Sequence, residues 1–338
     1  MVHARRHRSA VTGRMAPTDI LGIDISKRRF DVALLLGERI RQAVFLNTEA
    51  GFQELLVWLA KHRPSPDAPL HACMEATGNW GLDVAEVLHG AGIRVSIVNP
   101  IRVKAHGQSE LARNKTDKLD AALIARFCRA HQPAAWTPPA AHMRELRELV
   151  RRCDALKAAR VQEINRQKSG TASPAVAASI EAHLDWLDRQ IEAIMDAVQA
   201  LVAADPVLSR NQELLLSIPG IGVVTAPVLL AELPNIGEFT PKGLAAFAGL
   251  SPQEHSSGST VRRPGRISRI GSERLRRALY MCALSSKRRN PALAGFVARL
   301  TAAGKPPKVI LLAVARKLLV FAHAIIRTQK PFELAFLT

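Results

Sequence analysis

An acidic residue inside an apolar strand pattern is the feature that most limits how this chain can fold. Residues 20–46 form three short β-branched runs separated by tight turns, which predicts three consecutive strands. Asp24 interrupts the first run, in the sequence L-G-I-D-I-S. Burying a carboxylate there is costly unless it is paired or holds a metal ion. Asp24 is therefore a candidate metal ligand, although many strands end in a structural Asp.

The pattern after these strands alternates between helix and strand. It predicts a helix over 49–61, a strand over 70–75, a helix over 80–88 and a strand over 93–98. Antiparallel strands that lead into alternating helix and strand imply a mixed sheet with helices packed on it. This order matches the ribonuclease H-like fold.

Beyond a proline-rich break at residues 133–139 the pattern is helical, so the predicted fold class is α/β followed by all-α. Apolar residues from Ile180 to Leu201 recur at steps of four and three, which is a heptad seam. The seam suits either an internal helical hairpin or a coiled coil that joins protomers, and both remain open. From residue 211 a second, mainly helical domain follows, with a polar and basic loop around Ser257.

The charge of the chain favours a polyanionic partner. The 338 residues carry a formal net charge of +18, and such a cationic surface gains free energy by releasing counterions from nucleic acid. The arginine-rich stretch before residue 17 lacks the apolar core of a signal peptide, so we predict a disordered basic arm.

The cysteines and the apolar C-terminal run indicate where the protein acts. The four cysteines form no C-x-x-C pair, which argues against a zinc ribbon or a disulfide framework and favours a reducing cytoplasm. Residues 309–326 are apolar, but Arg316, Lys317 and His323 interrupt them within the length of a membrane span. We therefore predict a buried helix with a basic stripe and no membrane partner.

Four carboxylates form the candidate catalytic centre: Asp24, Glu75, Asp117 and Asp120. Glu75 ends a predicted strand, and Asp117 and Asp120 lie three residues apart on one face of a predicted helix. Alone, that pair is better explained as solvated charges beside Lys115 and Lys118. Together, the four can cluster around two divalent cations of the kind used in phosphoryl transfer, and oxygen-only ligands favour Mg²⁺ or Mn²⁺.

The sequence S-I-P-G-I-G at 217–222 is typical of a helix-hairpin-helix. Gly220 and Gly222 permit a tight turn whose backbone N–H groups can approach phosphate oxygens, although a plain interhelical turn is the alternative. Candidate phosphate ligands downstream are arginines: Arg262, Arg263, Arg266, Arg269, Arg274, Arg276 and Arg277. Aromatic residues make up only 4% of the chain, so arginine contacts to the backbone should outweigh base stacking.

These motifs together resemble the DEDD transposases of the IS-one-ten insertion-sequence family. The N-terminal half carries G-I-D-I-S-K, M-E-A-T-G and K-T-D-K-L-D-A, with the four carboxylates in place. The C-terminal half carries I-P-G-I-G, A-G-L-S-P, S-S-G and R-I-S-R-I-G-S-E-R-L-R-R-A-L in the order of the family. The likeness covers nearly the whole chain beyond the basic arm.

The resemblance implies a domain order and a chemistry. The arm would span 1–17, a RuvC-like DEDD catalytic domain 18–135, a helical coiled-coil linker 140–205 and a C-terminal transposase domain 211–338. It also implies a site-specific recombinase guided by a bridge RNA whose loops pair with donor and target DNA. The serine nucleophile of the family maps onto Ser257, with Ser256 as an open alternative. The segment S-G-S-T-V-R-R-P-G departs from the glycine and lysine commoner after S-S-G.

A serine hydroxyl needs a base, a metal ion or cationic surroundings to act as a nucleophile. We predict a transient phosphoserine link to DNA, formed by a dimer or tetramer because two DNA substrates must be held together. One alternative is a structure-selective endonuclease of the Holliday-junction-resolving kind, which uses the carboxylates and water. Another is a non-enzymatic basic nucleic-acid-binding protein. A trapped protein–DNA adduct would separate the first reading from the other two.

Overall fold

The structure of the protein is a computed structural model. It describes residues 19–65, 68–76, 80–109, 117–171, 173–233, 236–257, 261–267 and 271–333. The chain divides into two compact units, with the boundary between Pro138 and Pro139. The predicted limits of the arm, the linker and the C-terminal domain remain predictions, and the basic arm lies outside the described residues.

Unit 1 contains the predicted strands and helices close to their expected positions. In chain order they are β1 (Asp19–Ile25), β2 (Arg29–Leu36), β3 (Arg39–Leu46), α1 (Glu49–His62), β4 (Leu70–Glu75), α2 (Leu82–Gly90), β5 (Arg94–Val98), α3 (Pro100–Ser109) and α4 (Asp117–His131). Helix α2 begins two residues later than predicted, after Trp80 and Gly81. Helix α1 starts at the N-cap Thr48, whose side chain accepts a hydrogen bond from the N–H of Gly51.

Among the described residues, five strands form one sheet in the order β3-β2-β1-β4-β5. β1 pairs antiparallel with β2, and β2 with β3, whereas β1–β4 and β4–β5 are parallel. The predicted mixed sheet is confirmed. One face carries a core that includes Phe30 and Phe52, and the other carries Ile20 and Cys73 beneath α4. The side chains of Cys73 and Cys128 hydrogen-bond, which together with burial raises the pKa of the Cys128 thiol.

The segment that follows α4 lies along β5. The N–H of Trp136 donates to the carbonyl oxygen of Val95 at 2.7 Å, and the hydroxyl of Ser96 donates to the carbonyl of Ala134 at 2.7 Å. Nε2 of the fully buried His71 lies 2.8 Å from the same hydroxyl. Burial, helped by the charge of Arg94, lowers the pKa of His71 from 6.5 to about 4. The ring is therefore neutral at physiological pH.

Unit 2 is mainly helical, as predicted. Its elements are α5 (Ala141–Ser169), α6 (Pro174–Ala204), α7 (Pro206–Leu216), α8 (Thr225–Glu232), a 3₁₀ turn (Ile236–Glu238), α9 (Pro241–Phe247), β6 (Pro252–Ser257), β7 (Val261–Ile267), α10 (Glu273–Arg289), α11 (Pro291–Ala302) and α12 (Pro307–Thr328). The loop predicted around Ser257 is instead part of a two-stranded antiparallel hairpin formed by β6 and β7. Pro264 and Gly265 disfavour a strand, so β7 was not predicted from the sequence. A two-stranded hairpin has open edges, however, and such edges tolerate proline.

Helices α5 and α6 form the internal hairpin that the heptad seam allowed. The guanidinium of Arg160 on α5 donates to Asp188 on α6 at 3.0 Å. Glu163, only 6% exposed, lies 3.0 Å from Nδ1 of His183 on α6. Leu187 of the seam is buried. The internal pairing is confirmed, and the use of the seam between protomers remains a prediction.

Helix α12 is the apolar C-terminal segment, whose sequence resembles a membrane span but predicts a buried core helix. By length and composition it could cross a membrane, with a mean hydropathy of 2.2 over its most apolar window. Within the described part of the chain it is the one helix with that property, and 61% of the window is buried inside the protein. Leu318 and Ala322 belong to the core of unit 2. This packing fits the predicted buried helix.

Candidate active site and nucleic-acid interface

Helix α4 lies directly on β1, and Gly22 makes this contact possible. A Cβ atom at Gly22 would stand 2.1 Å from the carbonyl oxygen of Ala121 and 2.5 Å from the nitrogen of Ala125. Because side chains alternate along a strand, Asp24 projects from the same face of β1 as Gly22. Asp24 therefore points to the side of the sheet that α4 covers.

Strand register brings further carboxylates to that face. Ile23 pairs with Met74 in the parallel ladder, so Asp24 and Glu75 occupy matching positions at the C-terminal ends of adjacent strands. On the other side of β1, Asp24 lies directly opposite Asp31 on β2. Directly opposed residues of an antiparallel pair share a face. Asp31, which is 7% exposed, is a carboxylate that the sequence reasoning missed.

The direction of α4 places its first turn near this edge. Arg129, near the end of α4, donates to the carbonyl of Gly37 at 3.0 Å, at the end of the sheet opposite to Asp24. Ala121 lies over Gly22, so the helix runs from the Asp24 edge toward Gly37. Asp117 and Asp120 are thus carried on the turn of α4 that lies toward Asp24 and Glu75. The side chain of Asp117 lies outside the described residues, and Asp120 is half-buried.

The donor chemistry of this edge suits a hard divalent cation. The predicted ligands are carboxylates, and oxygen donors favour Mg²⁺ or Mn²⁺. Among the side chains that the structure describes, no group of three or more His, Cys, Asp or Glu residues is close enough to hold a metal ion. The side chain of Asp117 is not among those described side chains. The fold places Asp24 and Glu75 at the C-terminal ends of adjacent strands, with the first turn of α4 toward them, and metal binding by all four carboxylates remains a prediction.

A second set of residues, missed by the sequence reasoning, lies at the same edge. Nδ2 of Asn47 donates to the carbonyl of Ser26 at 3.1 Å and to that of Trp80 at 3.0 Å. The ammonium group of Lys27 lies 5.5 Å from the centroid of the Trp80 ring. Trp80 is 48% exposed. Its place two residues after the M-E-A-T-G segment was the available sequence signal.

The helix-hairpin-helix of unit 2 forms a tight turn between α7 and α8. Gly220 has φ +105°, a conformation that L side chains rarely adopt. The hydroxyl of Ser286 and the amide of Asn290 both donate to the carbonyl of Pro219 at 3.0 Å. A Cβ atom at Gly220 would stand 1.7 Å from the Ser286 hydroxyl. These contacts hold the hairpin against the junction of α10 and α11.

The outer part of this turn is open. Gly222, Val223 and Val224 are exposed immediately before Thr225, where α8 begins. A Cβ atom at Gly222 would meet nothing within 4 Å. Exposed backbone N–H groups at the start of a helix can approach an anion. The geometry suits the predicted role of Gly220 and Gly222 in phosphate contact, which remains a prediction.

Two of the predicted phosphate ligands make ion pairs inside unit 2. Arg274 donates to Asp154 at 3.1 Å and to Glu232 at 3.2 Å, and Arg277 donates to Asp154 at 2.9 Å. These pairs join α10 to α5 and α8. In this structure Arg274 and Arg277 help to hold helices together, so their assignment to DNA is weaker than the sequence suggested.

The serine segment is described at the level of its backbone. Ser256 pairs with Arg262, and Ser257 with Val261, across the hairpin of β6 and β7. The side chains of Ser256, Ser257, Arg262, Arg263 and Arg266 lie outside the description, as does the whole of Arg269. Arg276 belongs to α10 and donates to the carbonyl of Ala248 at 3.4 Å.

A long cationic stretch follows the hairpin of β6 and β7. Its ten lysines and arginines, with no Asp or Glu between residues 287 and 330, are Lys287, Arg288, Arg289, Arg299, Lys305, Lys308, Arg316, Lys317, Arg327 and Lys330. In the part of the chain that the structure describes, none of them makes an ion pair. Arg299 and Lys317 lie 5.6 and 5.4 Å from the ring centroid of Phe296. Unpaired cations in this number favour a polyanion.

Carboxylates gathered at the edge of a mixed sheet, together with a basic helical unit, are features of enzymes that act on nucleic acids. Comparison with known proteins identifies the class of enzyme. Residues 21–169 match the DEDD profile of IS110 transposases, described as "Transposase", and residues 212–298 match the "Transposase IS116/IS110/IS902 family". The protein is a transposase, an enzyme that acts on DNA.

Similar proteins extend the match over almost the whole chain. The "pilin gene-inverting protein" of Moraxella bovis is 34% identical over 320 residues, which cover 93% of this chain and 97% of the relative. The protein of the same name from Moraxella lacunata has the same identity and coverage. A putative transposase of Sinorhizobium fredii is 26% identical over 95% of this chain and 92% of its own. The chain belongs to the IS110 family of transposases.

Proposed function

We propose that the protein moves an insertion sequence by cutting and rejoining DNA strands at a metal-dependent carboxylate centre formed by Asp24, Glu75, Asp117 and Asp120. The observation that carries the proposal is the position of Asp24 and Glu75 beside the first turn of α4. Asp24 and Glu75 end adjacent strands, and the first turn of α4 covers the same edge. The strand order β3-β2-β1-β4-β5, with three antiparallel strands followed by two parallel ones, supports a ribonuclease H-like (RuvC-like) domain.

Mg²⁺ or Mn²⁺ held by these carboxylates would neutralise the charge that develops on the attacking and leaving oxygens. The chain itself supplies the position of the ligands. Gly22 allows α4 to approach β1, and the cross-strand register sets Asp31 beside Asp24. Asp31 also forms an ion pair with Arg29 at 4.0 Å, so a cationic side chain lies beside this carboxylate.

Ser257 is the proposed nucleophile. Its hydroxyl oxygen forms a bond to the phosphorus of the scissile phosphodiester, and the bond from phosphorus to one deoxyribose oxygen breaks. The hydroxyl proton passes to solvent, and the departing oxygen takes up a proton. Attack of a DNA hydroxyl on the phosphoserine then restores the serine and joins the new strand. The covalent link conserves the phosphodiester energy, which free-ended hydrolysis would lose.

The partners follow from the charge of unit 2 and from the relatives. The unpaired cations between Lys287 and Lys330 support contact with phosphates of DNA and of a bridge RNA. Two relatives are named for inverting a pilin gene, and inversion requires exchange between two DNA sites. We propose that a dimer or tetramer holds the donor and target DNA in the cytoplasm, without a membrane partner.

The covalent step is tested by trapping an adduct. Protein incubated with end-labelled DNA from the element and its bridge RNA, then denatured, should retain label on the protein. Ser257→Ala should abolish the labelled band, whereas Ser256→Ala should keep it. If the unsubstituted protein gives free-ended DNA products and no protein–DNA adduct, the endonuclease hypothesis is favoured. Retention of the band in Ser257→Ala and its loss in Ser256→Ala would move the nucleophile to Ser256.

The metal centre is tested separately with Asp24→Asn and Glu75→Gln, which keep the side-chain volume and remove the charge. Both variants should bind DNA normally and lose strand cleavage by orders of magnitude. Glu86→Gln on α2 serves as the control, because Glu86 is not one of the proposed ligands. Cleavage at the unsubstituted rate by Asp24→Asn would exclude this centre.

A further inference from the structure

Trp80 is a large aromatic side chain left open at the edge of the sheet where Asp24 and Glu75 lie. A Cβ atom at the neighbouring Gly81 would stand 2.8 Å from Cδ1 of Ile25 and 3.5 Å from the sulfur of Met74. The Trp80–Gly81 corner therefore rests on the ends of β1 and β4. The ring itself remains 48% exposed in a chain with few aromatic residues.

The backbone at Trp80 is held in place. Asn47 joins the Trp80 carbonyl to the carbonyl of Ser26, which lies two residues beyond Asp24. The position of the Trp80 backbone relative to the carboxylate edge is therefore set by this hydrogen bond and by the close approach of Gly81 to Ile25. A side chain whose backbone is already fixed loses less entropy when a ligand binds to it.

The charge beside the ring indicates the kind of ligand. Lys27 lies 5.5 Å from the ring centroid, as in a cation–π contact, and Trp80 remains 48% exposed beside it. An exposed indole with an adjacent ammonium group matches the combination that binds single-stranded nucleic acid, in which bases stack on aromatic rings and cations contact the backbone.

We propose that Trp80 stacks on an unpaired nucleobase of the strand that passes the carboxylate centre, while Lys27 contacts an adjoining phosphate. This inference rests on the proposed function, because a recombinase guided by base pairing must separate DNA strands. Every nucleobase presents a π-face, so the contact is tolerant of sequence. DNA and RNA share this chemistry, and the binding measurements below distinguish them.

The test measures affinity without divalent metal, so that no strand is cut. The probes are a 20-nucleotide single-stranded DNA, an RNA of the same sequence and the corresponding DNA duplex, each with a fluorescent label. Trp80→Leu keeps an apolar side chain at this position but removes the aromatic face, and it should weaken single-strand binding roughly 5- to 150-fold. Trp80→Phe should retain most of the affinity.

Controls separate stacking from a general loss of binding. Trp186 on α6 is 42% exposed, so Trp186→Leu is a matched change in unit 2 that should leave affinity unchanged. Lys27→Gln should lower the slope of log affinity against log salt by about 0.7 for the single strand, the value for one lost phosphate contact. Thermal unfolding of each variant confirms that it is folded.

Each outcome decides the inference. A loss confined to the DNA strand identifies a displaced DNA base, and a loss confined to RNA identifies the guide; either result supports stacking. Unchanged affinity of Trp80→Leu for both single strands would overturn it, as would an equal loss on the duplex. The adduct and cleavage experiments use other residues, so a failure at Trp80 leaves the proposed function standing.

Discussion

Replacing Gly22 with alanine tests whether β1 and α4 together shape the proposed carboxylate centre. The new Cβ would stand 2.1 Å from the carbonyl oxygen of Ala121, whereas Cβ atoms essentially never approach a heavy atom within 3.0 Å. The contact is with backbone, so α4 itself must retreat by about 1 Å. Overpacking of this kind costs about 1–3 kcal/mol of stability. A 1 Å displacement of reacting groups can slow a reaction roughly 100-fold.

The assay combines urea unfolding with metal-dependent cleavage of DNA from the element. Gly22→Ala should unfold at a lower urea concentration and cleave roughly 100-fold more slowly at saturating Mg²⁺. Gly90→Ala at the end of α2 is the matched control, because its new Cβ would meet nothing within 4 Å. A folded Gly22→Ala protein that cleaves at the unsubstituted rate would refute the idea that α4 carries part of the centre.

Three further outcomes follow from contacts in the structure. The pKa of His71 falls from 6.5 in the unfolded chain to about 4 in the folded protein. The free energy of unfolding should therefore decline as the pH falls from 6.5 to 4, by about 3 kcal/mol at most. In urea titrations, His71→Gln should flatten that decline. Asp205→Ala removes the N-cap of α7, which accepts from two N–H groups at 2.9 Å, so it should cost about 1 kcal/mol in thermal unfolding, with Asp185→Ala as a neutral control. Ser286→Ala removes a donor to the carbonyl of Pro219, so it should cost about 1 kcal/mol of stability and weaken duplex DNA binding. Ser285→Ala is the control and should do neither. Undiminished DNA binding by a destabilised Ser286→Ala protein would show that the hairpin does not contact DNA.

Most of the sheet and the helices of unit 1 could be predicted because their patterns are local. The β-branched runs ending in Ile25, Leu36 and Leu46 match the observed strands, and the alternation of helix and strand gave the mixed sheet. The hairpin of β6 and β7 could not be predicted, because Pro264 and Gly265 contradict strand propensity. Its pairing depends on hydrogen bonds across the turn rather than on apolar periodicity.

Residues of the candidate site could be predicted where their type or a local motif made them recognisable in the sequence. Asp24 and Glu75 stood out as carboxylates at the ends of apolar strands. Asp31 did not, because its place beside Asp24 depends on the register that the turn between β1 and β2 sets. Ser286 reaches the carbonyl of Pro219 across 67 residues of sequence, and no local pattern reports such a contact. Arg274 looked like a phosphate ligand, and only the fold reveals its ion pairs.

The segment at residues 133–136 has a consequence for anyone who cuts the chain into parts. It occupies the outer side of β5 through Trp136 and Ser96. An uncovered border strand offers free N–H and C=O groups to any neighbouring polypeptide and invites sticking and strand exchange between molecules. A fragment of unit 1 that stops at the end of α4 would expose the outer side of β5 and precipitate, whereas one that continues past Trp136 would keep it covered.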